Sequence, residues 1–572
     1  MRKVSLLLPC LFLLFFSFCS QPQQELNEVK VRLAKEPETL SPVNFSDAEA
    51  LQIINLLYQS LLSVDLEEDK LKPALAARMP EMIREDSLTL FNYEIKKDAT
   101  WADGTPVTAD DIAFTLKVLK APLVNNEKVK PQVEFIKDIR LDKTNSKRFT
   151  FICSGYAPEM ELLTGDFFIL PSHILDPRGL LKAIQVADLN EGLSELENNE
   201  NLKEFALNFN AIDFKADQQH LQGSGGYLLQ SYVPNQQIVL KRKADWWGNK
   251  NENDHLTASP DLISYYIIPD NTTALLALKN QQLDVLEQIP AAEFDQLKSD
   301  KAFTEHYTLY TPDSYEFTYV GLNSRLPKFS DKRTRQAIAQ LLDVSNMIKV
   351  SQQSYATPTA SIVPPTIKQY YNASLKPRSN NLAKAESLLK AAGWNREQDG
   401  WYQNINGKRT KLTIDVIYRA GNTNFENAAL VFQQTAAKAG IPVTLEAMEA
   451  SLLSQKSKAH EFDMFFRSLS GNPFVFNFKA LFHTSFAELG GINYTGFGNS
   501  ESDALLDAIN AAEAPAEKAR LLKELQAMLH DEATFIPLYY QKDRIAVHKR
   551  FDNTKISGLA PGYDVSAFTL KN

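Results

Sequence analysis

Apolar and polar positions alternate most clearly over residues 88–95. There Phe91, Tyr93 and Ile95 interleave with Asn92, Glu94 and Lys96, the period of a half-buried strand. The pattern then changes. Asp103-Gly104 is a tight-turn dipeptide, and Pro106 stiffens the exit from it. Thr108 takes an N-cap position with Asp111 three residues on, the spacing of a capping box. Ile112, Leu116 and Leu119 share one face of the helix that follows. A strand, a turn and a capped helix are therefore written in one short stretch.

The rest of the chain mixes the two periods. Residues 29–33 read as a strand, and 48–62 as a helix with Leu51, Ile54, Leu57 and Leu61 on one side. Strands are expected at 149–153 and 167–170, at 227–232 and 237–242 around Pro234-Asn235, and at 265–268 and 319–323. A helix is expected at 271–279. Asp331 and Asp343 can each cap a helix. Asn381 opens a helix over 382–392 that Gly393 ends. Strand 412–418, helix 424–438 and strand 441–445 form a βαβ unit, which implies parallel pairing and a right-handed crossover. Helices follow at 500–509 and 516–530, and a last strand at 535–540. The span 180–221 is polar, with a run of Glu and Asn at 195–200 that reads as a solvated face or loop.

At 572 residues the chain is too long for one core, and two or three domains are expected. A 44% apolar, 23% charged composition is that of a globular protein. The N-terminus differs. Arg2 and Lys3 precede an apolar run over 6–18, too short to span a bilayer and suited to a signal-peptide core. Cys19 closes the run, and 20–26 reads as a polar tether. Of three cysteines, only Cys153 stands beyond Cys19, so no disulfide framework is expected. Cys153 reads as a small buried hydrophobe. The net charge of −9 argues against nucleic acid as a partner.

Catalytic and metal motifs are not found. The eight histidines form no HExxH spacing, and there is no CxxC, G-x-S-x-G or Walker loop. Gly223-Ser224-Gly225-Gly226 is followed by strand-like sequence, whereas a phosphate cradle needs a helix there. No enzyme activity, metal or cofactor is expected.

The segment WADGTPVTADDIAFTLK, residues 101–117, resembles the hallmark W-x-D-G-x-P-V-T-A-x-D-V-x-F of the extracytoplasmic solute-binding proteins of family 5, the peptide- and nickel-type binding proteins of ABC importers. Further matches occur in order: Leu61-Leu62-Ser63-Val64-Asp65, Pro171-Ser172-His173, Gly223 to Tyr227, Ala244 to Gly248, and DKRTRQAIAQLLD from Asp331. Gly226 stands where the family usually has Pro. The resemblance implies an α/β, two-lobed periplasmic-binding-protein fold, class II with an extra domain, its lobes hinge-linked. It implies a lipoprotein signal over 1–19 with Cys19 acylated, although Phe18 stands where a small residue is usual; ordinary secretion is the alternative. Lobe I is expected over 27–57, 222–310 and 535–572, the extra domain over 58–221, and lobe II over 311–534.

The function so implied is capture of an extracytoplasmic oligopeptide between the lobes and delivery to permease and ATPase subunits. A monomer tethered to a membrane by lipid is expected. A micromolar affinity corresponds to about −8 kcal/mol. By resemblance Arg419, at the end of a strand, falls on the position that meets the peptide carboxylate; a solvated strand-end Arg is the alternative. The family's ammonium-binding Asp, counted back from Pro473, falls on Leu469, so no acid stands there. Either another acid supplies the charge, or the solute lacks a free amine, and Arg467 could favour an anion. Phe45, Ser46, Asn472 and Phe474 are further cleft candidates, the aromatics equally readable as packing. Three other readings stay open: the same fold holding a sugar, metal chelate or anionic compound; a secreted hydrolase; and a receptor or chaperone without transport.

Overall fold

The computed structural model describes residues 26–190, 196–250 and 255–571. The signal, Cys19 and most of the tether lie outside them. Two large sheets dominate. The first has seven strands in the order Tyr307–Tyr310, Ile545–His548, Val285–Leu286, Glu28–Leu33, Leu262–Ile267, Gln237–Arg242 and Tyr227–Val233. The second has six: Ala356–Pro358, Phe535–Lys542, Asp313–Leu322, Met464–Ser470, Ile414–Arg419 and Val443–Met448. A four-stranded antiparallel sheet, Glu81–Glu85, Leu88–Glu94, Arg148–Ser154 and Ile136–Leu141, lies inserted between parts of the first.

The hallmark segment does what its pattern dictates. Strand Leu88–Glu94 buries Phe91 and Tyr93, and helix Ala109–Lys120 buries Ile112, Leu116 and Leu119. Asp111 is more than a cap. Its carboxylate accepts from the Thr108 N–H at 2.8 Å, and from the Ser172 hydroxyl at 2.7 Å and N–H at 3.2 Å. A buried carboxylate is tolerable only when so satisfied, and here it ties the helix to the segment at Pro171. Cys153 is buried in the adjoining strand.

Helix Ala48–Leu57 is shorter than its apolar period predicts. The Gly225 N–H donates to the Leu57 carbonyl at 3.0 Å, and a Cβ on Gly223 would lie 2.1 Å from that oxygen. Backbone from a distant segment thus occupies the space of the next helical turn. Trp246 and Trp247 both donate their indole N–H to the Ser224 carbonyl, at 2.9 and 3.0 Å. They pack and cap the loop. Residues 167–170 form no strand; the Ile169 N–H donates to the Gln59 carbonyl at 3.0 Å.

One expected placement is corrected. Strand Phe535–Lys542 does not rejoin the first lobe; it pairs antiparallel with Asp313–Leu322 in the second sheet. Both of its faces are buried there, Ile536, Leu538 and Tyr539 in one core and Phe535 and Tyr540 in the other. Phe535 stacks on Tyr319 with ring centroids 4.0 Å apart. The return to the first sheet begins at Ile545, which pairs with Tyr310.

The chain therefore crosses between the large sheets twice, at Thr311-Pro312 and at Asp543-Arg544. The crossings are neighbours: the Asp543 N–H donates to the Pro312 carbonyl at 3.0 Å. They make one two-stranded ribbon that starts in the first sheet and ends in the second. This is a hinge by construction, because few backbone torsions connect two separately cored bodies. The βαβ unit is present as predicted, with Ile414–Arg419 parallel to Val443–Met448 around helix Thr423–Lys438. No helix among the described residues is long and apolar enough to cross a membrane.

Candidate functional site

The hinge ribbon forms the floor of a cleft between the lobes. A cavity of about 370 Å³ lies there. Helix Ala48–Leu57 lines it with Leu51, Gln52 and Asn55 from one side, and Ser314, Tyr315 and Glu316 line it from the other. The C-terminal segment closes it with Gly558 to Pro561. Gly558 is required by close approach, since a Cβ there would lie 1.8 Å from the Asp313 carbonyl oxygen. The C-terminal segment of the first lobe thus lies directly on the first strand of the second.

Three carboxylates line this cavity: Glu287, Glu316 and Asp543. Among the described residues that line it, none is a lysine, arginine or histidine. Burial pushes Glu287 up to about 8, reinforced by Asp543 and Glu49 and opposed by Gln52 and Arg32. Burial likewise pushes Asp543 up to about 6, with Arg544 opposing and Glu316 reinforcing. Nearby guanidinium groups are engaged elsewhere. Arg32 donates to the Ile268 and Pro269 carbonyls at 2.8 and 3.0 Å. Arg544 donates to the Ile289 and Lys542 carbonyls at 2.6 and 3.1 Å. Glu316 accepts from the Gln541 amide at 2.8 Å. Each acid comes from a different place: the end of a first-sheet strand, the start of a second-sheet strand, and the hinge crossing.

A second cavity, about 310 Å³, opens between the inserted domain and the second lobe. Leu71, Met79, Phe474 and Val475 give it an apolar wall, and Asp69, Lys70 and Glu161 add charge.

The sequence-predicted residues spread over these surfaces. Phe474 lines the second cavity. Asn472 builds its turn, its side-chain oxygen accepting from the Phe474 and Val475 N–H groups at 2.9 and 2.8 Å. Leu469 lies across from Phe317 and packs partly buried against the core below. Arg467 is half-buried on the sheet, donating to the Ser457 hydroxyl at 3.2 Å with its guanidinium 5.2 Å from the Tyr494 ring centre. Arg419 is exposed at the end of its strand. Phe45 packs on Phe168, centroids 5.8 Å apart, and Ser46 donates to Glu38 at 3.1 Å. None of these except Phe474 borders either cavity. The acids of the first cavity were missed because a lone Glu or Asp at a strand end carries no sequence signal. One signal did exist: with no acid at Leu469, either an acid elsewhere or a solute without a free amine is expected.

Comparison with known proteins gives the fold and its geometry a family. Residues 70–486 match the family described as bacterial extracellular solute-binding proteins, family 5. The oligopeptide-binding protein AppA of Bacillus subtilis is 24% identical over 559 residues, covering 96% of this chain and 92% of that one. Its structure in complex with a nonapeptide superposes with a TM-score of 0.65 at 22% identity, over 95% of this chain and 99% of that one. NikA from Brucella suis, in complex with Fe(III)-EDTA, superposes with a TM-score of 0.73 at 17% identity, over 95% and 100%. At such identities the two structures establish the fold alone. The chain belongs to the bacterial extracellular solute-binding proteins of family 5, solute-binding components of ABC importers rather than enzymes.

Proposed function

We propose that this protein captures an extracytoplasmic oligopeptide in the cleft between its lobes and delivers it unchanged to the permease of an ABC importer. It does so as a monomer, tethered by lipid at Cys19; mass spectrometry of the mature N-terminus checks the tether. The observation that carries the peptide reading is the first cavity, with three carboxylates and no cation among the described lining residues. An ammonium group in a cleft that excludes water needs a carboxylate partner, or its burial costs several kcal/mol. Glu287, Glu316 and Asp543 supply what the position at Leu469 lacks. AppA, which resembles this chain over nearly its whole length, is an oligopeptide-binding protein. Arg419 and Arg467 remain candidate carboxylate partners if the lobes close further on a bound solute, and Phe45, Ser46, Leu469, Asn472 and Phe474 are proposed as further contacts in that closed form.

Calorimetry with a mixed pool of two- to five-residue peptides tests this reading. Heat is expected from the free-amine pool and is expected to fall sharply for the N-acetylated pool. No heat from either pool would remove the peptide reading. The runner-up keeps the fold and changes the solute; it is favoured by the absence of an acid at Leu469. The acidic lining then selects a cationic or neutral compound over an anion.

A further inference from the structure

The two cavities adjoin along one wall. The segment from Ser470 to Val475 runs along both: Ser470 and Gly471 line the first, Pro473 to Val475 the second. A cross-lobe hydrogen bond stands between them. Tyr315, which lines the first cavity, donates its hydroxyl to Asp69, which lines the second, at 2.9 Å. Three further bonds fix that pair, one of them between the Thr366 side chain and the Tyr315 hydroxyl. The Ser557 hydroxyl donates to the other Asp69 oxygen at 2.7 Å, and the Gly471 N–H donates to the Tyr315 carbonyl at 2.9 Å. Asp69 sits at the tip of the hairpin Leu62–Asp65 and Lys70–Pro73 with φ of +50°, a conformation that Asp and Asn adopt at little cost.

From this geometry we infer that the Asp69–Tyr315 pair is a partition that sets the length of solute the groove accepts. The inference rests on the peptide reading above. With the bond made, the groove ends at the first cavity, whose size suits one small ligand. A short peptide fills it with its amine among the three acids. A longer peptide must displace the Tyr315 hydroxyl from Asp69 before its chain can pass into the second cavity. There Phe474, Leu71 and Met79 offer apolar contact to a further side chain. A bond to a charged acceptor in a half-buried site is worth enough to bias binding about tenfold. Neither the hairpin tip nor the tyrosine holds the amine in this scheme. They act on which solutes fit.

The test is calorimetric affinity for a ladder of synthetic peptides, from two to six residues, all with a free amine and neutral side chains. The full-length mature protein is compared with Tyr315→Phe and Asp69→Asn. Phe keeps the ring and removes the hydroxyl; Asn keeps the backbone preference and weakens the bond, so at least one variant should fold. The expected result is a natural protein that binds the short members better, and variants in which the long-to-short affinity ratio rises about tenfold. An unchanged ratio in a folded variant that still binds peptide overturns the partition and leaves the peptide reading standing. A natural protein that binds no rung of the ladder overturns both.

Discussion

Glu287 and Asp543 are held protonated more readily in the folded, solute-free protein than they would be in water. Their raised values mean that the folded state binds protons the unfolded chain has released. The stabilisation is fully present below the unfolded values of 4.5 and 3.8. It is lost as pH rises, through about 6 for Asp543 and about 8 for Glu287. A cation seated between them favours the ionised forms, so affinity for a cationic solute moves the opposite way. Affinity measured by calorimetry should therefore be several-fold weaker at about pH 5 than at about pH 8, with protons released on binding. The paired change Glu287→Gln and Asp543→Asn should flatten that dependence. An affinity that does not change with pH in the natural protein would show that these acids do not meet the solute.

At the scale of elements, the hallmark segment shows why part of this molecule could be read without a structure. The alternation through Phe91 and Tyr93, the Asp103-Gly104 turn and the Thr108 cap are all local, so neighbours in sequence decide them. The βαβ unit around helix Thr423–Lys438 was legible for the same reason. The end of helix Ala48–Leu57 was not, because the residues that stop it, Gly223 and Gly225, arrive from far along the chain. Strand Phe535–Lys542 was misplaced because its apolar character is the same whichever sheet it joins; only its packing on Phe317 and Tyr319 decides. Asp111→Ala removes one carboxylate that satisfies several buried donors, and should destabilise the protein by about 3 kcal/mol in denaturant unfolding. Gly558→Ala should force the C-terminal segment off the Asp313 carbonyl, destabilising the protein by about 1–3 kcal/mol and weakening solute binding at least tenfold. Equal binding by that variant would mean that the close approach is not needed for the working cleft.

Across the whole molecule, two cored bodies are joined by one ribbon, and the acids of the cleft gather at that ribbon. Asp543 is itself a crossing residue, and Glu316 lies just past the other crossing. On the proposed reading, a cation bound there would touch both lobes and the hinge at once, and its binding energy would favour the closed arrangement over the open one. This is also why the candidate site was the least legible part of the sequence. Its residues lie at 287, 316 and 543, and only the double crossing brings them together. Of the strip at Leu469 to Phe474, Ser470 and Gly471 line the first cavity and Pro473 and Phe474 the second, while Leu469 packs against the core. The central claim is that the cleft holds a small guest by these acids and leaves it intact. Native mass spectrometry of the protein purified from its own compartment tests that most directly. The account predicts a bound mass matching a short peptide, recovered unbroken on denaturation and absent from the Glu287→Gln, Asp543→Asn variant. A guest retained undiminished by that variant, or released with a bond cleaved, would contradict it.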